Sequence, residues 1–263
     1  MLTSQQKAHF DAFGFIALRQ LYSPDEVDII TREFDTAMLE ERGGKPFDGR
    51  EKRVVINWYE GRPSVEYLTT DERIRGPIER LLGPGYTLDQ HNDGALRVGD
   101  TEWHPDLGWD ATIPEGENDP ERIAGRRGRH HYIPSIKVAF YLDPVGKETG
   151  ALRIIPGAHR NPYHDQLWSL HLDIPSNVAR FEDVGPRLLE MWERDTGSPE
   201  GGEQLLSDPK VNRFGLEPCD VPSHPIESEP GDVVFFSHQM WHSSFGGKAG
   251  RRMFTLNFRS AQT

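Results

Sequence analysis

The sequence predicts an α+β fold that is mainly β: a double-stranded β-helix of the jelly-roll, cupin-like kind, with helices flanking it on the N-terminal side. Three observations lead there. Helix signals concentrate before residue 83, and short strand-like runs punctuated by Gly, Pro and Asp follow from residue 86. The 263 residues are also a length that one large β architecture fills without a second core. A single domain over residues 1–263 is the expected organisation.

Taken in order, Phe15-Ile16-Ala17-Leu18 after Gly14 reads as a short strand. The clearest helix starts at Ser23-Pro24-Asp25-Glu26. There Ser accepts from exposed backbone amides, Pro fits the first turn and Glu occupies the reciprocal capping position. Val27, Ile30, Phe34, Ala37 and Met38 recur at helical spacing and give it one buried stripe. Ile74 to Leu82 reads as another helix, ended by Gly83-Pro84-Gly85. Strand-like runs then cover Tyr86 to Leu88, Ala95 to Val98, Ser135 to Leu142, Ala151 to Ile155, Asp232 to Ser237 and Met253 to Phe258. Residues 110–134 and 160–230 do not fit a compact sheet, apart from a helical patch around Pro186 to Arg194. Excursions of that length in a compact domain shape binding pockets or cover them.

Composition narrows the function. Hydrophobic residues make up 35%, with 13 Phe, 7 Tyr and 6 Trp, enough to fill an interior. A net charge of -12 argues against gripping nucleic acid, which depends on Lys and Arg neutralising phosphates. Cys219 is the only cysteine, so neither an intrachain disulfide nor a thiolate zinc cage can form, and a metal must be held by His and carboxylate. The start of the chain lacks a basic segment followed by an apolar run, and no stretch reaches the roughly 18 apolar residues of a membrane span. The expectation is a cytoplasmic enzyme with a small-molecule substrate and no nucleic-acid or membrane partner.

Two imidazoles and one carboxylate on one face of a metal are the ligand set of non-haem iron(II) oxygenases. On a strand, residues i and i+2 point the same way, so His-x-Asp delivers two of the three. The chain has three such pairs: His91 with Asp93, His104 with Asp106, and His171 with Asp173. The third ligand must come from a distant strand, where His238 and His242 share one strand face by parity.

Context separates these candidates. His104 and Asp106 lie in Gly99-Asp100-Thr101-Glu102-Trp103-His104-Pro105-Asp106, Thr149 to His159 reads TGALRIIPGAH, and Pro230 to Ser244 reads PGDVVFFSHQMWHSS. Together these blocks resemble the phytanoyl-CoA dioxygenase family of iron(II) and 2-oxoglutarate oxygenases. The opening Leu2 to Phe34 also looks like that family's start: a helix, a Gly-Phe strand and a Ser-Pro-Asp-Glu helix. The resemblance implies His104, Asp106 and His242 as iron ligands, with 2-oxoglutarate and dioxygen as cosubstrates. His159, after the Pro-Gly turn, takes a structural role.

The family's cosubstrate arginine follows the distal His across a tight hairpin, which Gly246 to Gly250 supplies here, and Arg251 and Arg252 follow. An arginine fork suits a carboxylate because it makes two parallel hydrogen bonds. Adjacent strand residues face opposite sides. If Arg251 points inward, Phe254, Leu256 and Phe258 pack outward under the helices; if Arg252 does, those three crowd the pocket. Arg251 is therefore the expected cosubstrate residue, with Arg252 left to a salt bridge. Ser244 matches the family's small-x-Ser element and Lys137 lies on an inner strand, so both are expected to contact the cosubstrate. Trp103, Trp109 and Trp241 flank the ligands as expected substrate contacts. Arg127 stands in a basic patch, Arg126 to His131, suited to an anionic substrate.

The implied reaction converts 2-oxoglutarate to succinate and carbon dioxide and hydroxylates an aliphatic C–H bond of a metabolite or natural-product intermediate. Asp106 favours this over halogenation, in which a small residue replaces the carboxylate. Desaturation, epoxidation and cyclisation use the same site. A zinc or manganese cupin and a catalytically inactive jelly-roll binding protein are the rival readings, and Arg251 speaks against the cupin.

Overall fold

The computed structural model describes residues 1–106, 134–160, 163, 167, 170 and 216–261. The expected contacts Trp109 and Arg127, the His171 and Asp173 pair, and the helical patch near residue 190 lie outside them.

Helix α1 (Ser4–Phe13) begins at a reciprocal cap between Thr3 and Gln6 and ends at Gly14, whose φ of +81° suits glycine. Any Cβ at Gly14 would also meet Met240 and the His159 ring, so the glycine lets the chain turn closely over the sheet. Strand β1 (Phe15–Leu18) follows, then α2 (Pro24–Glu41) with the expected Ser23 and Glu26 cap and the expected buried stripe. Strand β2 (Arg53–Ile56) leads through a short 3-10 helix at Glu66–Thr69 to α3 (Glu72–Leu82). Helix α3 starts two residues before the apolar periodicity because the Asp71 side chain accepts from the Arg73 amide.

The remaining strands are β3 (Thr87–Leu88), β4 (Asp93–Arg97), β5 (Thr101–Pro105), β6 (Ser135–Tyr141), β7 (Leu152–Ile154), β8 (His224–Ile226), β9 (Val233–Ser237), β10 (Trp241–Ser244) and β11 (Arg251–Arg259). They form two antiparallel sheets. One runs β1-β9-β6-β11-β4-β2, with β3 on β11, and the other runs β5-β10-β7-β8. This is the jelly-roll arrangement, as two packed sheets with open edges rather than a closed barrel.

Strand alternation sorts the apolar residues into two cores. Val233, Phe235, Phe254, Leu256 and Phe258 meet Ile30, Phe34 and Ile74 of the helices on the outer face of the larger sheet. Val234, Phe236, Ala139, Tyr141 and Met253 face inward and share a second core with Ile154 and Leu152 of the smaller sheet. Among the described residues no helix is long and apolar enough to cross a membrane.

Candidate metal and cosubstrate site

Strands β5 and β10 are antiparallel neighbours with His104 paired directly to His242, so one register brings together residues far apart in sequence. Asp106 follows β5 immediately and turns back toward both. One ligand atom from each of the three lies within 4.8 Å of the others. Asp106 Oδ2 is 3.3 Å from His242 Nε2, and Asp106 Oδ1 is 3.8 Å from His104 Nε2.

The protonation of the two imidazoles follows from their other nitrogens. His104 Nδ1 lies 2.6 Å from the Glu102 carbonyl and His242 Nδ1 lies 2.8 Å from the Met240 carbonyl. A carbonyl only accepts, so each Nδ1 carries the hydrogen and each Nε2 keeps its lone pair. Burial pushes the His104 imidazole down to about 3, with His242 adding to the effect, and burial also lowers His242. Burial alone would raise the Asp106 carboxyl, but Lys137 and the neighbouring histidines hold it well below the usual carboxylate range. Two lone pairs and a carboxylate thus converge with no proton between them, an arrangement that fits a divalent cation. The backbone carbonyls fix the ring orientations, as partners behind metal-bound histidines do.

Lys137 reaches this cluster from β6, with Nζ 2.6 Å from Asp106 Oδ2. The lysine expected beside the cosubstrate arginine therefore sits on the carboxylate of the triad. His238 is buried, and its Nε2 lies 3.2 Å from Asn257 Oδ1. Asn257 Nδ2 donates to the His91 carbonyl, which leaves Oδ1 as the acceptor for His238. This contact engages His238 apart from the three-residue cluster.

Arg251 and Arg252 divide as the parity argument expects. Arg251 is 5% exposed and faces inward, whereas Arg252 donates outward to Asp143 and Asp35. Arg251 Nη1 donates to the Gly150 carbonyl, and Nη2 to Ser244 Oγ at 3.3 Å. Among the described residues Arg251 Nε is buried with no partner. The fork is held from one side and keeps donors for an incoming carboxylate. Gly150 makes this possible: a Cβ there would fall on the guanidinium, and its φ is +89°.

Trp103 and Trp241 are fully buried but do not face the triad. Each is adjacent in sequence to a ligand on its own strand, and alternation turns it to the opposite face. Trp103 instead donates from Nε1 to the Pro218 carbonyl at 2.8 Å and meets Phe245 edge-on. Two inner-face residues escaped the sequence reading. Arg97 pairs across the ladder with Arg251, and Tyr141 pairs with Met253. The signal for Arg97 was its two-residue spacing from inward Ala95, but only the register of β4 on β11 places it near the site.

A family model described as phytanoyl-CoA dioxygenase (PhyH) matches residues 10–253. A search of the curated proteins finds none that matches this sequence. Among solved structures, HygX from Streptomyces hygroscopicus with nickel and 2-oxoglutarate bound superposes with a TM-score of 0.62 at 16% identity, covering 100% of this chain and 88% of that chain. The non-haem α-ketoglutarate-dependent carbocyclase SnoK from nogalamycin biosynthesis gives 0.60 at 16% identity, covering 99% and 85%. The epimerase SnoN, in complex with Fe3+, α-ketoglutarate and nogalamycin RO, gives 0.58 at 15%, covering 98% and 83%. At these identities the likeness concerns the fold.

Proposed function

We propose, from the premise that the chain belongs to the phytanoyl-CoA dioxygenase family, that it is a 2-oxoglutarate-dependent iron(II) oxygenase that hydroxylates an aliphatic C–H bond of a small molecule. His104, Asp106 and His242 would hold the metal, and Arg251 with Ser244 the far carboxylate of 2-oxoglutarate. The observation that carries this reading is the convergence of the three ligand atoms within 4.8 Å, with both Nδ1 atoms committed to carbonyls. Iron(II) bound with 2-oxoglutarate supplies the oxidising power, spent as 2-oxoglutarate and dioxygen become succinate and carbon dioxide.

The rest falls to side chains of this chain. His104 and His242 offer lone pairs without first releasing a proton, and Asp106 offers the negative charge. Phe236 packs edge-on against His242 with centroids 5.1 Å apart, which restrains the ring and keeps water from that side. Arg251, pinned by the Gly150 carbonyl and Ser244, would hold the far carboxylate of the cosubstrate in one place. Halogenation would need a small residue in place of this carboxylate, so the presence of Asp106 supports oxygenation over halogenation.

Anaerobic addition of iron(II) and 2-oxoglutarate should produce the weak visible charge-transfer band of the chelate. His242→Ala should abolish it; a band that survives this substitution, or none in the wild type, sinks the assignment. Succinate release across a panel of metabolites and natural-product intermediates then identifies the substrate. Mass analysis of the product separates a gain of one oxygen from a loss of two hydrogens, and the latter would replace hydroxylation with desaturation or ring closure.

A further inference from the structure

Arg97 closes β4 directly opposite Arg251, one step along the ladder from Leu96 and Arg252. Ala95 and Met253, the next inward pair, lie in the core between the sheets, so alternation turns Arg97 and Arg251 to the same inner face. Directly opposed residues hold their Cβ atoms about 4.5–5.5 Å apart, and like charges so placed destabilise a sheet. Neither guanidinium forms an ion pair among the described residues. Among the described residues the Arg97 side chain donates from Nε to the Met253 sulfur at 3.4 Å, a weak acceptor for a charged donor.

Asp100 and Asp143 act on Arg251 only from beyond ion-pair distance among the described residues, so the two inward cations mark a place for an anion. Tyr141 stands beside both: burial raises its phenol, and the charges of Arg251 and then Arg97 oppose that rise. Arg251 feels the charge of Arg97 in turn, and the Arg97 side chain lies against Met253, two residues along β11 from Arg251. The charge of Arg97 therefore belongs to the Arg251 end of the site rather than the metal end.

We infer that Arg97 is a second cosubstrate-binding residue that grips, together with Arg251, the far carboxylate of 2-oxoglutarate. This rests on the oxygenase reading and adds to it a second guanidinium, so that the carboxylate accepts from two sides while Ser244 and Tyr141 border it. An anionic substrate is the other molecule Arg97 could meet. Its direct pairing with Arg251 favours the cosubstrate, because the carboxylate held by one guanidinium lies within reach of the other.

The test compares two ligands on nickel-loaded protein by calorimetry, without turnover. 2-Oxopentanoate has the same carbon chain and the same metal-chelating end as 2-oxoglutarate but lacks the far carboxylate. Arg97→Met should weaken 2-oxoglutarate by about tenfold or more, as expected for a lost charged hydrogen bond, and leave 2-oxopentanoate unchanged. Arg97→Lys, which keeps the charge, should lose less. Stoichiometric nickel uptake and an unchanged melting curve establish that each variant is folded. Equal weakening of both ligands, or no change with 2-oxoglutarate, overturns the inference. Wild-type protein that takes up nickel but binds neither 2-oxo acid overturns the oxygenase reading itself, and this inference with it.

Discussion

The two faces of β11 are made from alternate residues of one nine-residue strand, and they differ in kind. Outward, Phe254, Leu256 and Phe258 disappear under the helices; Phe254 stacks on Phe140 with centroids 4.2 Å apart and meets Trp58 edge-on. Inward, Arg251, Met253, Thr255 and Asn257 face the site, where Arg251 Nε and Thr255 Oγ1 are buried without partners among the described residues. The outer face has its apolar contacts satisfied, while the inner face keeps bonding capacity in reserve. The difference teaches that stability and chemistry are separated here by a single step along the chain, so substitutions one residue apart should fail in different ways.

The largest effect belongs to the inner side. His242→Ala on β10 should reduce succinate release to the assay background and abolish nickel or iron uptake. Its unfolding free energy should stay within about 1 kcal/mol of wild type, because in the metal-free protein the Nε2 lone pair faces other acceptors, which offsets the lost contact with Phe236 and the bond to the Met240 carbonyl. Urea denaturation of the metal-free proteins checks this. A large loss of stability would show that the triad also holds the sheets together and would erase the contrast.

The converse comes from the outer face. Phe254→Ala removes a fully buried ring from between Phe140 and Trp58 and should cost about 3–5 kcal/mol. The molecules that remain folded should bind 2-oxoglutarate as wild type does. If affinity falls along with stability, the two faces are mechanically coupled.

This separation also explains what could be read from the sequence. The outer face was legible because apolar residues repeat at the strand period and the helix period, and the caps at Ser23 and Gly14 are local chemistry. Strands β5 and β10 were hard to see because their alternation is spent on His104, His242 and Ser244 instead of apolar residues. Trp103 and Trp241 misled for a related reason: neighbours in sequence are on opposite faces of a strand. Lys137 was recognisable as an inner cation, but its contact with Asp106 depends on how one sheet lies over the other. Arg97 depended on the register of β4 against β11, which no local pattern encodes.

A smaller effect tests Arg251 itself. Arg251→Met should raise the KM for 2-oxoglutarate by about a hundredfold, in the range expected when one partner of a buried charged hydrogen-bond pair is removed. The effect on kcat at saturating cosubstrate should be much less. Steady-state kinetics with varied 2-oxoglutarate measures both. If Arg252→Ala produces that increase instead, the inner and outer assignments along β11 are reversed.

The smallest effect is that of Arg252→Ala on stability. Arg252 meets Asp143 through its amide and its guanidinium and reaches Asp35 at 3.0 Å, but the Arg252 and Asp143 side chains are 27% and 29% exposed, so solvent screens the pair. About 1 kcal/mol or less is expected at neutral pH. The pH dependence carries the sign. Burial tends to raise the Asp143 carboxyl, but hydrogen bonds from Arg252 outweigh it and leave Asp143 below its ordinary value. A carboxylate depressed in the folded state contributes fully above its unfolded pKa of about 3.9 and loses that contribution as pH falls through the folded value. The gap between wild type and Arg252→Ala should therefore be constant from pH 7 to pH 5 and close below pH 4, as urea midpoints at several pH values would show. A gap that persists unchanged below pH 4 would mean that Arg252 stabilises the outer face through packing of its stem rather than through its charge.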